Sequence, residues 1–418
     1  MRVLYLCHRI PYPPNKGDKI RAFHQLQAIA KRHEVDLFTL VDDPGDLEYR
    51  AELSKLCNRL TVSRVYPGWA RMRTLPYLLT PQPLTIPYFY SSELASEVRH
   101  ALGRRSYDRI FVYCSAMAQY VDAVDRIPML MDFVDVDSEK WTQYASFTKF
   151  PLSAIYRREG RALRAYERKI CEKAAAVLVT TEREAQLVRQ ISAGAPVHVI
   201  PNGVDTSYFD PSAVSPAALG PAIIFTGDMS YFPNEQAVTN FANSVLPLIR
   251  QAVPDVRFMI VGRNPGPGVL ELRRIDGVEV TGFVPDVRTY LARAQVAVAP
   301  FSIAAGIQNK ILEALAYGLP VVATSKAAQA LSRGVAEQLY TGDTPEDMAA
   351  KITALLRDPQ LAYRKGSDGR RQVAKDYRWD SSLDQMMKLL ENPVSSEFLK
   401  AQTQASLCVT PSPLLKRQ

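Results

Sequence analysis

The chain has few cysteines, and their placement excludes two kinds of site. Cys7, Cys57, Cys114, Cys171 and Cys408 are scattered along 418 residues without a C-x-x-C pair. Neither a thiolate zinc site nor a redox dithiol is expected, and an odd, dispersed set suits free thiols in a reducing compartment. No stretch of about 18 uncharged apolar residues occurs, which argues against a membrane-spanning helix. The opening MRVLYLCHR is too short an apolar run for a secretory leader, because it ends in His8 and Arg9. There is no G-x-G-x-x-G, which weakens a dinucleotide-dependent dehydrogenase reading. The basic residues are dispersed and form no recognised nucleic-acid-binding motif. The expectation is a cytoplasmic protein with no nucleic-acid partner.

What is present is the composition of a soluble globular protein, 47% hydrophobic and 22% charged, in a chain too long for one core. Net charge is +8, which favours an anionic partner: a phosphorylated small molecule, a nucleic acid or an acidic membrane surface. Short apolar, β-branched runs alternate with longer amphipathic stretches, the rhythm of βαβ units and a parallel sheet. Strands are predicted at 3–9, 34–40, 59–65, 109–114, 129–136, 176–181 and 197–201. A second set is predicted at 222–228, 256–263, 278–283, 296–301, 320–324 and 336–340. Near-continuous apolarity is what strands buried on both faces require. Between the sets, DPSAVSPAALGPA (210–222) reads as a linker, and residues 393–418 read as a flexible tail.

Four segments draw attention. After the first strand, IPYPPNKGDKIRAFHQL forces an extended loop and opens a helix at Gly17, where a phosphate or sugar can approach backbone N–H groups. Lys16, Lys19 and Arg21 add charge there, unless they are solvated residues of an ordinary turn. In MDFVDVDSEKW (131–141), Asp135 and Asp137 are two apart, so on a strand they share a face. They stand at a carboxyl end, where open α/β sheets bind ligands. The alternatives are that Asp137 or Ser138 caps the next helix, or that the pair holds a metal. YRREGRALRAYERKICEKA (156–174) is a predicted helix with a stripe of Arg157, Arg161, Arg164 and Arg168, functional or simply solvated. In VHVIPNGVDTSYF (197–209), Asn202-Gly203 predicts a tight turn after a strand.

This last string, followed two residues later by Pro211, resembles the IPNGVD…F…P signature of the family-4 retaining glycosyltransferases, which have the GT-B architecture. TGDMSYFPNEQAV (226–238), IVGRNPGPGV (260–269), VTGFVPDVRTYLARAQVAVAPF (280–301) and GIQNKILEALAYGLPVVAT (306–324) extend the resemblance through the second half. It implies donor phosphates at Gly227 and a nucleotide base at the loop of Phe283, Val284 and Pro285. Gly306 and the following helix N-terminus would face a pyrophosphate, Lys310 would add positive charge, and Glu313 would hold ribose hydroxyls. Ala305 stands where the family's Glu-x7-Glu motif begins. Asp228 stands where relatives begin a basic pair, with Arg263 and Lys310 as the substitutes. PYPPNKGDKIR, DFVDVDSEKW and the 306–324 block resemble the sugar transferases of exosortase-type exopolysaccharide systems. DYRWDSSLDQMMKLL (376–390) resembles the helix that returns to the first domain in GT-B proteins.

The expected fold is therefore α/β, GT-B, two Rossmann-like domains facing a cleft. Residues 1–209 form an acceptor-side domain, 210–222 a linker, 223–375 a donor-binding domain and 376–392 a crossover helix. The expected enzyme is a hexosyltransferase-type glycosyltransferase acting in exopolysaccharide synthesis. It would move a sugar from a nucleotide-diphosphate donor to a glycan or lipid-linked acceptor, retaining configuration, with no metal or cofactor. Asp135 and Asp137 are the catalytic candidates. Gly17, Gly227, Arg263, Val284, Gly306, Lys310 and Glu313 are the donor-binding candidates. The alternatives are a sugar-nucleotide epimerase of the same fold and a non-catalytic nucleotide-sugar binder, the latter on account of Ala305. Peripheral contact with an anionic membrane is expected from YPGWARMRTLPYLLTPQPLTIPYFY (66–90) and the arginine stripe, unless 66–90 simply packs on the sheet.

Overall fold

The computed structural model describes residues 1–14, 17–214, 220–303 and 306–392. Two parallel sheets dominate it. The first holds β1 (Arg2–Cys7), β2 (Glu34–Val41), β3 (Arg59–Arg64), β4 (Arg109–Tyr113), β5 (Met129–Val134), β6 (Ala176–Val179) and β7 (Val197–Val199), in the order β3-β2-β1-β4-β5-β6-β7. The second holds β8 (Ala222–Thr226), β9 (Arg257–Val261), β10 (Val278–Gly282), β11 (Val296–Ala299), β12 (Val321–Ala323) and β13 (Tyr340–Thr341), in the order β10-β9-β8-β11-β12-β13. Each order reverses once, between β1 and β4 and between β8 and β11. That reversal leaves a crevice beyond the carboxyl ends of the strands, where such sheets bind ligands.

Alternation along the strands explains why both faces are covered. On β1, Leu4 and Leu6 enter one buried cluster, while Val3, Tyr5 and Cys7 enter the cluster on the opposite face. All thirteen predicted strands exist. The run 336–340 shrinks to Tyr340–Thr341, because Ser332 caps a helical turn over Arg333–Ala336 and accepts from the Val335 N–H. The run 129–136 stops at Val134 for a reason taken up below.

Nine helices matter for the site and its surroundings: α1 (Gly17–Ala30), α2 (Pro67–Thr74), α3 (Asp137–Phe147), α4 (Leu152–Lys173), α5 (Glu182–Ile191), α6 (Phe232–Asn240), α7 (Asn309–Ala316), α8 (Pro359–Asp376) and α9 (Trp379–Glu391). Helix α9 returns from the second sheet to the first. Its Met386, Met387 and Leu390 lie in the first domain's core with Val3 and Tyr5, and Arg109 donates to the Leu390 carbonyl at 2.8 Å. Within the predicted linker, Pro211–Ala213 forms a short helical turn. Positions 215–219 of the linker, Ala305 and the predicted tail 393–418 lie outside the described residues.

Candidate functional site

On the donor side, β8 ends and the chain turns at Gly227 before α6. The loop after β9 meets it backbone to backbone: a methyl carbon at Gly262 would lie 1.6 Å from the Gly227 carbonyl oxygen. Beneath Gly227 lies the ammonium of Lys310, from the first turn of α7. A side chain at Gly227 would begin 2.9 Å from Lys310 Nζ. Asn234 Oδ1 accepts from that nitrogen at 2.6 Å, and the rings of Phe225 and Phe301 flank it at 4.3 and 4.7 Å. Burial lowers Lys310 to about 7, against Glu313 and Asp228, which raise it. Burial likewise pushes Glu313 up to about 6, against the pull of Lys310. The Glu313 carboxylate has no hydrogen-bond partner among the described residues, so it is an available acceptor one turn beyond the ammonium.

Arg263 is less available. Its Nε donates to Asp228 Oδ2 at 3.0 Å, while its buried Nη2 has no partner. Asp228 is further held by the Ser230 hydroxyl at 2.7 Å, and these bonds, with Arg263, keep its carboxyl below the usual range despite burial. Val284 packs its side chain at the edge of the second core, and its neighbour Phe283 stands exposed. A base at this loop would meet Phe283 and the Val284 backbone.

On the acceptor side, the first sheet ends in two unusual residues. Cys114 follows β4 with φ 78, and Val134 ends β5 with φ 65. A β-branched residue there is a strained outlier, of the kind that gathers at functional sites. The Asp135 N–H bonds back to the Phe133 carbonyl at 2.7 Å, closing a γ-turn over Val134, and the Val134 N–H is held by Asp132 Oδ1 at 2.9 Å. This turn ends the strand early. Asp135 and Asp137 therefore do not share a strand face: Asp135 follows the turn and Asp137 begins α3. Val136 occupies the cap position, so neither Asp137 nor Ser138 caps the helix; Glu167 takes the Ser138 N–H at 3.0 Å.

Asp135 still faces the cleft, and it touches the other domain. A methyl carbon at Gly306 would lie 2.6 Å from Asp135 Oδ1. Burial raises the Asp135 carboxyl, against Lys140 and a hydrogen bond with Glu184, which lower it. Burial and then Asp135 itself push Glu184 well above the carboxylate range, so Glu184 carries the proton of this acid pair. Thr180 Oγ1 donates to Glu184 Oε2 at 2.7 Å. Asp137 accepts from Ser115 Oγ at 3.1 Å. Lys140 answers both aspartates, which outweigh burial and raise it.

A chain of hydrogen bonds joins the domains behind this pair. Buried Arg21 donates from Nε to buried Asp132 at 2.8 Å and from Nη1 to Asn202 Oδ1 at 3.1 Å. Asn202 Nδ2 donates to Asn309 Oδ1 at 3.1 Å, at the first residue of α7. A methyl carbon at Gly17 would lie 3.4 Å from Asn309 Nδ2, so the amino ends of α1 and α7 face each other. The charge expected beside Gly17 is spent elsewhere: Lys19 is buried on Asp46 at 2.5 Å and Arg21 on Asp132. Lys16 lies outside the described residues.

Glycine at 203 has a cause other than the predicted tight turn. A methyl carbon there would lie 2.5 Å from Trp379 Cγ, at the start of α9, and no positive φ is involved. Sequence reasoning missed Asn202, Asn234, Asn309 and Glu184 as site-supporting residues. Only Glu184 had a local signal. In TTERE, Thr181 caps α5 and accepts from the Glu184 N–H at 3.2 Å, which marks position 184 as the first turn of a helix beside the cleft. Among the described residues, no group of three or more His, Cys, Asp or Glu is placed to hold a metal ion.

Two doubly wound sheets facing one cleft, joined by a returning helix, define the GT-B fold. Solved structures share it. Sucrose-phosphate synthase from Thermosynechococcus elongatus superposes with a TM-score of 0.69 at 20% identity, covering 97% of this chain and 100% of that one. Anabaena HepE in complex with UDP and glucose gives 0.67 at 16% identity, covering 94% and 100%. Residues 19–203 match the glycosyl transferase 4-like domain, and residues 220–358 match the glycosyl transferases group 1 domain. With one such match on each sheet, the chain carries a glycosyl transferase 4-like domain and a glycosyl transferases group 1 domain on a GT-B fold. Curated relatives match over a shorter stretch at higher identity. Glycogen synthase of Mycobacterium tuberculosis (strain ATCC 25618 / H37Rv) is 28% identical over 208 residues, 45% of this chain and 46% of that protein. MMP alpha-(1->4)-mannosyltransferase of Mycolicibacterium hassiacum is 27% identical over 213 residues, 48% and 49%. The chain spans about half the length of the curated relatives it matches.

Glu313→Ala should weaken a nucleoside diphosphate by about 1–3 kcal/mol, the cost of removing a charged hydrogen-bond partner. Calorimetric titration with UDP and GDP checks this. Affinity equal to wild type for both would remove Glu313 from the donor site.

Proposed function

We propose that the protein transfers a sugar from a nucleotide-diphosphate donor to a glycan or lipid-linked acceptor, with retention of configuration and without a metal. The observation that carries this reading is the Lys310 ammonium beneath Gly227, at the amino end of α7 and across from Asp135. The bond between the anomeric carbon and the diphosphate oxygen breaks, and the acceptor oxygen bonds to that carbon on the same face, which keeps the configuration. The leaving diphosphate is met by Lys310 and by the free N–H groups of α7. The acceptor hydroxyl proton passes to a base. Asp135 suits that role, because burial raises its carboxyl toward the range where a carboxylate accepts protons readily. HepE, which shares the fold, was solved with UDP and glucose bound. The setting we propose is bacterial exopolysaccharide synthesis at the inner face of the cytoplasmic membrane, supported by the resemblance of PYPPNKGDKIR and DFVDVDSEKW.

Incubation with a panel of nucleotide sugars tests this. Slow release of the nucleoside diphosphate is expected, and it should survive EDTA. Interconversion of sugars without release would mean an epimerase, and tight binding with neither would mean a binder. Activity lost to EDTA and restored by Mg²⁺ or Mn²⁺ would overturn the metal-free mechanism. Asp135→Asn should lower turnover more than donor affinity.

A further inference from the structure

The exposed large apolar side chains are not spread evenly. Tyr66, Trp69, Met72, Leu75 and Leu79 come from α2 and the turn after it, and Phe147, Phe150 and Leu152 come from the junction of α3 and α4. Leu79 is 96% exposed, Phe150 83% and Trp69 74%, far from ordinary for such residues. The two segments are fastened to each other. Arg158 of α4 donates to the carbonyls of Tyr77 (2.6 Å), Gln82 (2.7 Å) and Thr80, and the buried Glu159 accepts from the N–H groups of Leu84 (2.7 Å) and Thr85 (2.9 Å). Arg158 lies six residues into a helix that begins at Leu152, so the turn carrying Leu79 is fastened to α4 about 9 Å along the axis from the end that carries Phe150.

The sequence around these two segments carries charge of one sign. Positions 53–92 contain Lys55, Arg59, Arg64, Arg71 and Arg73 and no Asp or Glu; positions 140–158 contain Lys140, Lys149, Arg157 and Arg158 and no Asp or Glu. Of these, Arg64, Arg71, Lys149 and Arg157 are exposed and have no carboxylate partner among the described residues. The arginine stripe itself contributes less. Arg168 and Arg164 cap the last carbonyls of α5, at Ile191 and Gln190, and Arg73 is turned onto the carbonyls of Pro87 and Tyr90.

We infer that this face docks on an anionic lipid bilayer, with Leu79, Phe150 and Trp69 entering the headgroup region and Arg71 and Lys149 meeting its phosphates. The inference rests on the transfer reading above and narrows its acceptor to a lipid-linked one. Helix α3 gives the route. It starts in the cleft at Asp137 and ends ten residues later in the docking face at Phe147, roughly 15 Å away. Trp141, Tyr144 and Tyr156 cluster along it with ring centroids 5.1–6.4 Å apart, an apolar path from bilayer to site. Aromatic and aliphatic residues rimmed by cations and free of carboxylates suit an anionic interface better than a second copy of this basic chain, which would bring like charges together.

Cosedimentation of the full chain with phosphatidylcholine vesicles, with and without phosphatidylglycerol, tests this. Binding should require phosphatidylglycerol and fall with salt. Leu79→Ser with Phe150→Ser should reduce it about tenfold or more, and Arg71→Glu with Lys149→Glu should reduce it at least about fivefold per site. Both pairs should leave nucleoside diphosphate release with a soluble acceptor unchanged. Vesicle binding without any sugar transfer would keep the docking face and sink the transfer reading. Transfer with no vesicle binding, or binding indifferent to both pairs, would overturn the docking face. So would self-association of the chain that these substitutions abolish.

Discussion

Lys310→Met is expected to lower turnover about 10²- to 10³-fold, the scale of removing one preorganised donor of charge stabilisation from a buried site. It should weaken a nucleoside diphosphate clearly and the matching nucleoside hardly at all, because the ammonium lies under Gly227 rather than near the base loop. Equal weakening of both ligands would count against a phosphate role. The pH dependence follows from where burial holds the group. Free Lys310 is lowered to about 7, so above that pH the site is mostly neutral before the donor arrives. The diphosphate favours the protonated form, so binding takes up a proton and affinity should fall as pH rises above 7, by as much as about tenfold per unit. Below about 6, Glu313 becomes neutral and accepts more weakly from the ribose hydroxyls, which gives a shallower acid limb. Titration of UDP across this range should show maximal affinity between the two. In Lys310→Met the alkaline limb should vanish, and its persistence would assign that limb to another group.

The sequence showed the sheets well and the joints between them poorly. Strands buried on both faces are written in consecutive residues, so VLYLC and AIIFT announced themselves. The end of β5 was misread because FVDV carries β propensity throughout, while what stops the strand is Asp132 pulling the Val134 N–H into a γ-turn. Lys310 and Glu313 were proposed from the resemblance of the 306–324 block, a motif written in consecutive residues. Asn202 and Gly203 did not reveal their roles, since each is defined by a partner far along the chain: Asn309 for one and Trp379 for the other. Arg21 looked like a surface cation for the same reason, its partner Asp132 lying on a different strand.

That pair carries the second large effect. Asp132→Leu should cost about 3–5 kcal/mol of stability, because it strands the buried Arg21 charge without its partner. It also removes the acceptor of Gln25 Nε2 at 2.5 Å and of the Val134 N–H. Replacing both members, Arg21→Met with Asp132→Leu, should restore the part of that stability lost to the stranded charge, since well-packed apolar side chains often substitute for a buried ion pair at little cost. Activity should not return with it. Arg21 Nη1 holds Asn202 Oδ1, which leaves the Asn202 amide to grip Asn309 at the mouth of α7, next to Lys310. Asp132 at the same time keeps Val134 in the turn that presents Asp135. The double variant should therefore unfold in urea at a higher midpoint than Asp132→Leu alone yet turn over slowly, with the loss in kcat exceeding the change in donor affinity. A double variant as active as it is stable would reduce the network to packing. A single Asp132→Leu that unfolds at the wild-type midpoint would show that the pair is not buried as the fold requires.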